Sequence, residues 1–129
     1  MNTQKKKILL ADDERSLREL LRVLFEGAGY EFIEAEDGKN ALEQIKKSKP
    51  DLIILDVNMP KMNGFQVLEH IKKDSKTRDI PVVMLTTRAE QEDIETGMEL
   101  NADQYIPKPF DSKKILLTVE NIFKVRGLL

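Results

Sequence analysis

Short apolar runs recur along the chain at nearly regular intervals: Ile8 to Ala11, Phe32 to Ala35, Leu52 to Leu55, Val82 to Leu85, and a shorter one at Gln104 to Ile106. Each has the length of a strand. Between and after them, apolar residues return at spacings of three and four: Leu17, Leu20, Leu21 and Leu24; Ala41, Leu42 and Ile45; Phe65, Leu68 and Ile71; Ile115, Val119, Ile122 and Phe123. That spacing lays one apolar stripe along each helix. The strands are apolar throughout rather than alternating, so both of their faces are covered, as in a parallel sheet between helix layers. The pattern predicts α/β architecture, a single (βα)5 doubly wound domain whose weak fifth strand lies at an edge. Turn residues agree: Gly27 and Gly29 suit the end of the first helix, Pro50 follows the second, Asn63-Gly64 opens the third, and Pro81 stands where the fourth strand begins.

Composition narrows the chemistry. The 129 residues contain no Cys and one His, which excludes a disulfide scaffold, a Cys-ligated zinc site, an iron–sulfur cluster and a thiol nucleophile. His70 lies off the apolar positions of the third helix and reads as a surface residue. A net charge of -2 offers no general attraction to nucleic acid or to anionic lipid. The N-terminus carries a positive run but only a four-residue apolar stretch, too short for a signal-peptide core or a membrane span. A cytoplasmic protein that binds neither nucleic acid nor membrane through this chain is the expectation.

In open parallel α/β sheets, sites form outside the carboxyl ends of the strands. Those ends are polar here: Asp12, Asp13 and Glu14 after strand one, Asp56 and Asn58 after strand three, Thr86, Thr87 and Arg88 after strand four, Lys108 after strand five. Glu36 and Asp37, after strand two, fall outside the group. If strands one and three are neighbours, as in the doubly wound order 2-1-3-4-5, then Asp12, Asp13 and Asp56 share one small space. Three like charges together call for protons or for a hard cation such as Mg²⁺. The alternative at Asp12 and Asp13 is capping of the first helix. Lys108 and Thr86 around a carboxylate fit a bound phosphoryl group, with Asp56 as the candidate nucleophile; singly, each also reads as an ordinary surface or strand-end residue.

With those residues in place, LLADDE, IILDVNMPKMNG, MLTT and YIPKPF, in that order and on those elements, resemble the receiver domains of bacterial two-component response regulators, the chemotaxis regulator among them. The resemblance covers essentially the whole chain. It implies a flavodoxin-like sheet and a phosphoryl group passed to Asp56 from a histidine kinase or phosphotransfer protein. It implies Mg²⁺, with Mn²⁺ as a substitute, bound by Asp13, Asp56 and the backbone carbonyl of Asn58, with Asp12 acting largely through water. Thr86 and Lys108 would contact the phosphoryl oxygens, and Thr86 with Tyr105 would form the switch. A cis Lys108-Pro109 bond is implied too. Asn58 and Arg88 occupy positions that tune the lifetime of the phosphoryl group, Arg88 reading equally as a shield or as a solvated side chain. Thr87 stands where the family often has Ala.

The segment from Glu90 to Asp103 holds six acids and no Lys or Arg, with Gly97 inside it, whereas the final helix is basic at both ends, with Lys113, Lys114, Lys124 and Arg126. The first is the element expected to shift on phosphorylation. Acidic and basic faces together allow a phosphorylation-dependent homodimer, or are two solvated faces. The expectation is one receiver domain over residues 1–129, with a core of about 5–126 and no effector domain in this chain; its output is a downstream protein or an effector domain elsewhere. It is read as no enzyme beyond self-catalysed phosphoryl transfer and autodephosphorylation. The competing readings are a Mg²⁺-dependent aspartyl-phosphate phosphatase, disfavoured because Asn58 cannot serve as general acid, a flavin- or nucleotide-binding domain, disfavoured by Asp12 and Asp13, and a receiver-like domain that signals without phosphorylation.

Overall fold

The computed structural model describes residues 5–86 and 102–128. Its elements run β1 (Lys7–Ala11), α1 (Arg15–Gly27), β2 (Glu31–Ala35), α2 (Gly38–Ser48), β3 (Leu52–Asp56), α3 (Gly64–Lys73), β4 (Val82–Thr86), β5 (Gln104–Pro107) and α4 (Ser112–Val125). Every strand pair is parallel and the sheet order is β2-β1-β3-β4-β5, with the weak β5 at one edge. Thr87, Arg88 and the expected helix within 90–103 lie outside the described residues, apart from Ala102 and Asp103.

The continuous strand hydrophobicity resolves into two cores. Ile8, Leu10, Leu52, Ile54, Val83 and Leu85 face α1 and α4, while Leu9, Ala11, Ile53, Leu55, Val82 and Met84 face α2 and α3. Alternate residues of one strand thus serve opposite faces. The α1 stripe is rotated from the expected one. Leu21 and Phe25 are fully buried and Leu20 is 53% exposed, because Phe25 stacks on Phe32 at 5.7 Å and meets Tyr30 edge-on at 5.6 Å. An aromatic ring with two aromatic neighbours outweighs a second leucine at the margin of the stripe.

Local chemistry sets the helix starts near the future site. Asn63 and Gln66 cap α3 reciprocally, each bond being 2.9 Å, and Asp37 accepts the Asn40 N–H at 2.7 Å to start α2. At α1 the N-cap residue Glu14 makes no side-chain cap bond. Two glycines allow close approach. A Cβ on Gly64 would strike the Asp56 carbonyl and come within 2.9 Å of Val57 Cα, so α3 begins directly against the end of β3. A Cβ on Gly38 would strike the Met62 carbonyl, and the Gly38 N–H also donates to Pro60 O at 3.4 Å. The loop after β3 is thereby seated on the start of α2.

Candidate functional site

The register sets the carboxyl ends of four strands side by side: Ala11 faces Leu55, Asp56 faces Leu85, and Thr86 faces Pro107. The residue ending each strand or following it is Asp12, Asp56, Thr86 and Lys108 in turn. Carboxylate oxygens of Asp12, Asp13 and Asp56 lie within 4.8 Å of one another, with Asp12 and Asp56 buried and Asp13 exposed. Lys108 Nζ donates to Asp56 Oδ1 at 2.8 Å and stands 3.8 Å from Asp12 Oδ2. The Lys108-Pro109 bond is cis.

Asp12 is tied down at all but one of its polar groups. Its N–H donates to Ala35 O at 3.1 Å, its carbonyl accepts from Arg18 Nη1 at 2.8 Å, and its Oδ1 accepts the Glu14 N–H at 2.8 Å. Its Oδ2 is buried without a hydrogen-bond partner, and so is Thr86 Oγ1. The two readings of Asp12 therefore meet in one residue, since one oxygen serves the entry to α1 and the other belongs to the acidic cluster. Unpartnered buried oxygens carry a desolvation penalty, and these two belong to residues at the carboxyl ends of β1 and β4.

The electrostatics follow from crowding and burial. Burial pushes the Asp12 carboxyl up to about 6, helped by the charges of Asp56 and Asp13 and opposed by the Glu14 N–H and Lys108. Burial also raises Asp56, against the hydrogen bond and charge of Lys108 and the backbone N–H of Asn58. Burial works against the charge on Lys108, but the hydrogen bond and charge of Asp56, with Asp12 behind it, hold its ammonium above the usual lysine range. Among the described residues, the three clustered carboxylates have one ammonium, that of Lys108, against them. The surplus negative charge, an all-oxygen donor set and an unpartnered oxygen suit a hard divalent cation.

The remaining expected residues are arranged around this centre. Asn58 is exposed two residues beyond Asp56. Tyr105 is half-buried in β5, level with Met84 and packed on the α2/α3 core, two residues before Pro107, which faces Thr86. Burial raises its phenol, opposed by a backbone hydrogen bond at Ala102. Asp37 stays out of the cluster; the Asn40 N–H, ahead of Lys61, holds its carboxyl below the usual range. His70 is exposed. Of the charges in the dimer reading, Arg126 and Asp103 pair within the chain at 2.8 Å. Sequence reasoning missed Arg18 and the close approach of Gly64. Arg18 bonds partners on other elements, which periodicity does not report.

The chain matches the response regulator receiver domain over residues 8–120. It belongs to that family. This receiver domain is 42% identical over 119 residues to the phosphate regulon transcriptional regulatory protein PhoB of Escherichia coli (strain K12), a match covering 92% of this chain and 52% of PhoB. It is 46% identical over 112 residues to the probable transcriptional regulator ycf27 of Galdieria sulphuraria, covering 87% of this chain and 43% of that protein. The chain spans about half the length of the curated relatives it matches. The chemotaxis response regulator CheY4 of Vibrio cholerae superposes with a TM-score of 0.84 at 34% identity, covering 92% of this chain and 99% of that one. The receiver domain of a signal transduction histidine kinase from Syntrophus aciditrophicus gives 0.85 at 30% identity, covering 92% and 90%. The receiver domain is thus a signalling unit of two-component systems rather than an ordinary enzyme. Among the described residues no helix is long and apolar enough to cross a membrane.

Proposed function

We propose that this receiver domain accepts a phosphoryl group on Asp56 from the phosphohistidine of a histidine kinase or phosphotransfer protein, and that the new charge resets a surface read by a partner. The observation that carries this reading is the Asp12–Asp13–Asp56 cluster, within 4.8 Å, in which Lys108 holds Asp56 at 2.8 Å and Asp12 Oδ2 is buried without a partner, with an unpartnered Thr86 hydroxyl at the end of the neighbouring strand β4. In the transfer an Asp56 oxygen attacks phosphorus, the P–N bond breaks with its electron pair staying on the imidazole, and an acyl phosphate forms. Lys108 Nζ moves from carboxylate to phosphoryl oxygen, and the Thr86 hydroxyl gains the acceptor it lacks. Asp13, Asp56 and the Asn58 carbonyl would hold Mg²⁺ or Mn²⁺, with Asp12 acting through water. When bound, the ion offsets charge on the carboxylates and the phosphoryl oxygens.

Attack by water on the acyl phosphate returns Asp56, and Asn58 and Arg88 tune how long the group survives. An open groove of about 550 Å³ beside Lys108, lined by Leu17, exposed Leu20, Pro109 and Phe110, suits docking of the phosphodonor helix. The signal passes through Thr86 and Tyr105 to β5, α4 and the segment between β4 and β5. Residues 1–129 act as one receiver domain in the cytoplasm, and their output is a downstream protein, an effector domain or a second phosphorylated copy.

Intact-mass spectrometry after incubation with acetyl phosphate, with and without Mg²⁺, tests the reading on the wild type and on Asp56→Asn. The expected result is one phosphoryl adduct that requires Mg²⁺ and is lost in the variant. No adduct, together with failure to form a beryllofluoride complex, would make this a receiver domain that signals without phosphorylation.

A further inference from the structure

Between the two leading acids of the cluster lies a single peptide group, and one side chain holds it. Arg18 Nη1 donates to the Asp12 carbonyl at 2.8 Å, while the Asp12 N–H is fixed to Ala35 O at 3.1 Å. Because the peptide is planar, fixing that carbonyl also fixes the Asp13 N–H and the position of Asp13 Cα, from which the side chain departs. Among the described residues no other side chain bonds this peptide. The guanidinium is itself held: its Nε donates to Glu34 Oε1 at 3.1 Å, and Glu34 Oε2 accepts from Arg22 Nε at 2.6 Å. Arg22 in turn pairs with Glu26 at 3.0 Å and lies over the Phe32 ring at 5.4 Å. Arg18 is 13% exposed and Glu34 25%, so bulk salt screens the Arg18–Glu34 pair less than it screens a surface pair.

We infer that Arg18 is a positioning residue for cation binding, setting through the Asp12–Asp13 peptide the place from which Asp13 meets the ion. The inference rests on the phosphoacceptor reading above. It carries a sign that separates it from a simple effect of charge. A positive group near a cation site weakens cation binding, so if Arg18 acted only through its field, removing it would tighten Mg²⁺ binding. If it acts by holding the peptide, removing it loosens Mg²⁺ binding. If it merely supports the fold, the folded variant binds Mg²⁺ as the wild type does.

The test is isothermal titration of Mg²⁺ into the whole chain, with thermal unfolding and the rate of Asp56 adduct formation from acetyl phosphate measured alongside. For Arg18→Met, Mg²⁺ affinity is expected to fall about tenfold, the range typical of residues that orient metal ligands, while the adduct rate at saturating Mg²⁺ stays within about twofold of wild type. Arg18→Lys keeps the charge but carries its donors on a single nitrogen, without the fork that spans Asp12 and Glu34, and is expected to lose about threefold. It carries the test should Arg18→Met fail to fold. Unchanged or tighter Mg²⁺ binding in the folded variants, or a loss confined to the adduct rate at saturating Mg²⁺, overturns this inference alone. A wild type that neither binds Mg²⁺ nor forms the adduct overturns the phosphoacceptor reading and this inference with it.

Discussion

Aspartates stand at both ends of the sheet and do opposite work. Where strands begin, Asp51 accepts the Lys7 N–H at 2.7 Å, and Asp103 accepts the Val82 N–H at 2.9 Å while its other oxygen meets Arg126 at 2.8 Å. These carboxylates satisfy backbone donors that the sheet leaves open. Where strands end, Asp12, Asp13 and Asp56 crowd together beside Lys108, and Asp12 Oδ2 has no hydrogen-bond partner. The same residue type steadies the fold at one end and costs it stability at the other. The acids at the strand starts spend their oxygens on backbone donors, whereas the cluster at the strand ends keeps a buried oxygen without one.

The contrast can be broken most severely through the backbone at the acidic end. Gly64→Ala places a methyl group against the Asp56 carbonyl and Val57 Cα, neither of which can give way as a flexible side chain would. It should lower the unfolding free energy by about 3 kcal/mol, read by urea denaturation. Next in size is the pH dependence. The Asp12 carboxyl is raised from 3.8 to about 6 in the folded chain, so the fold favours its protonated form. Stability tied to Asp12 is therefore highest below about pH 4, declines as pH rises toward 6, and stays low above that. The decline should be on the order of 2 kcal/mol, allowing for water at the mouth of the cluster. Asp12→Asn should remove it and leave the metal-free protein more stable at pH 7, as thermal unfolding across pH would record. The smallest effect lies at the other end. Asp51→Ala leaves the Lys7 N–H without its acceptor and should cost about 1 kcal/mol, opposite in sign to Asp12→Asn. Equal signs for Asp51→Ala and Asp12→Asn would erase the contrast.

Much of this was legible in the residues themselves. Uninterrupted runs such as Leu52 to Leu55 signal a strand covered on both faces, and Asn63-Gly64 marks the start of α3. The Asp12–Asp13–Asp56 cluster followed once β1 and β3 were placed as neighbours. The face of α1 was not legible, because Leu20 and Phe25 both satisfy helical spacing and only the aromatic partners Tyr30 and Phe32 decide between them. Arg18 was invisible for a related reason, since its bond to Glu34 joins two elements 16 residues apart. The tightness at Gly38 and Gly64 depends on backbone from another element, which no local pattern encodes.

With no space for a side chain between Gly38 and the Met62 carbonyl, α2 and the loop after β3 form one mechanical piece. Under the phosphoacceptor reading, a change at Asp56 would meet that piece on the α2 side of the sheet and, toward the other side, β5, a four-residue edge strand with a single buried position.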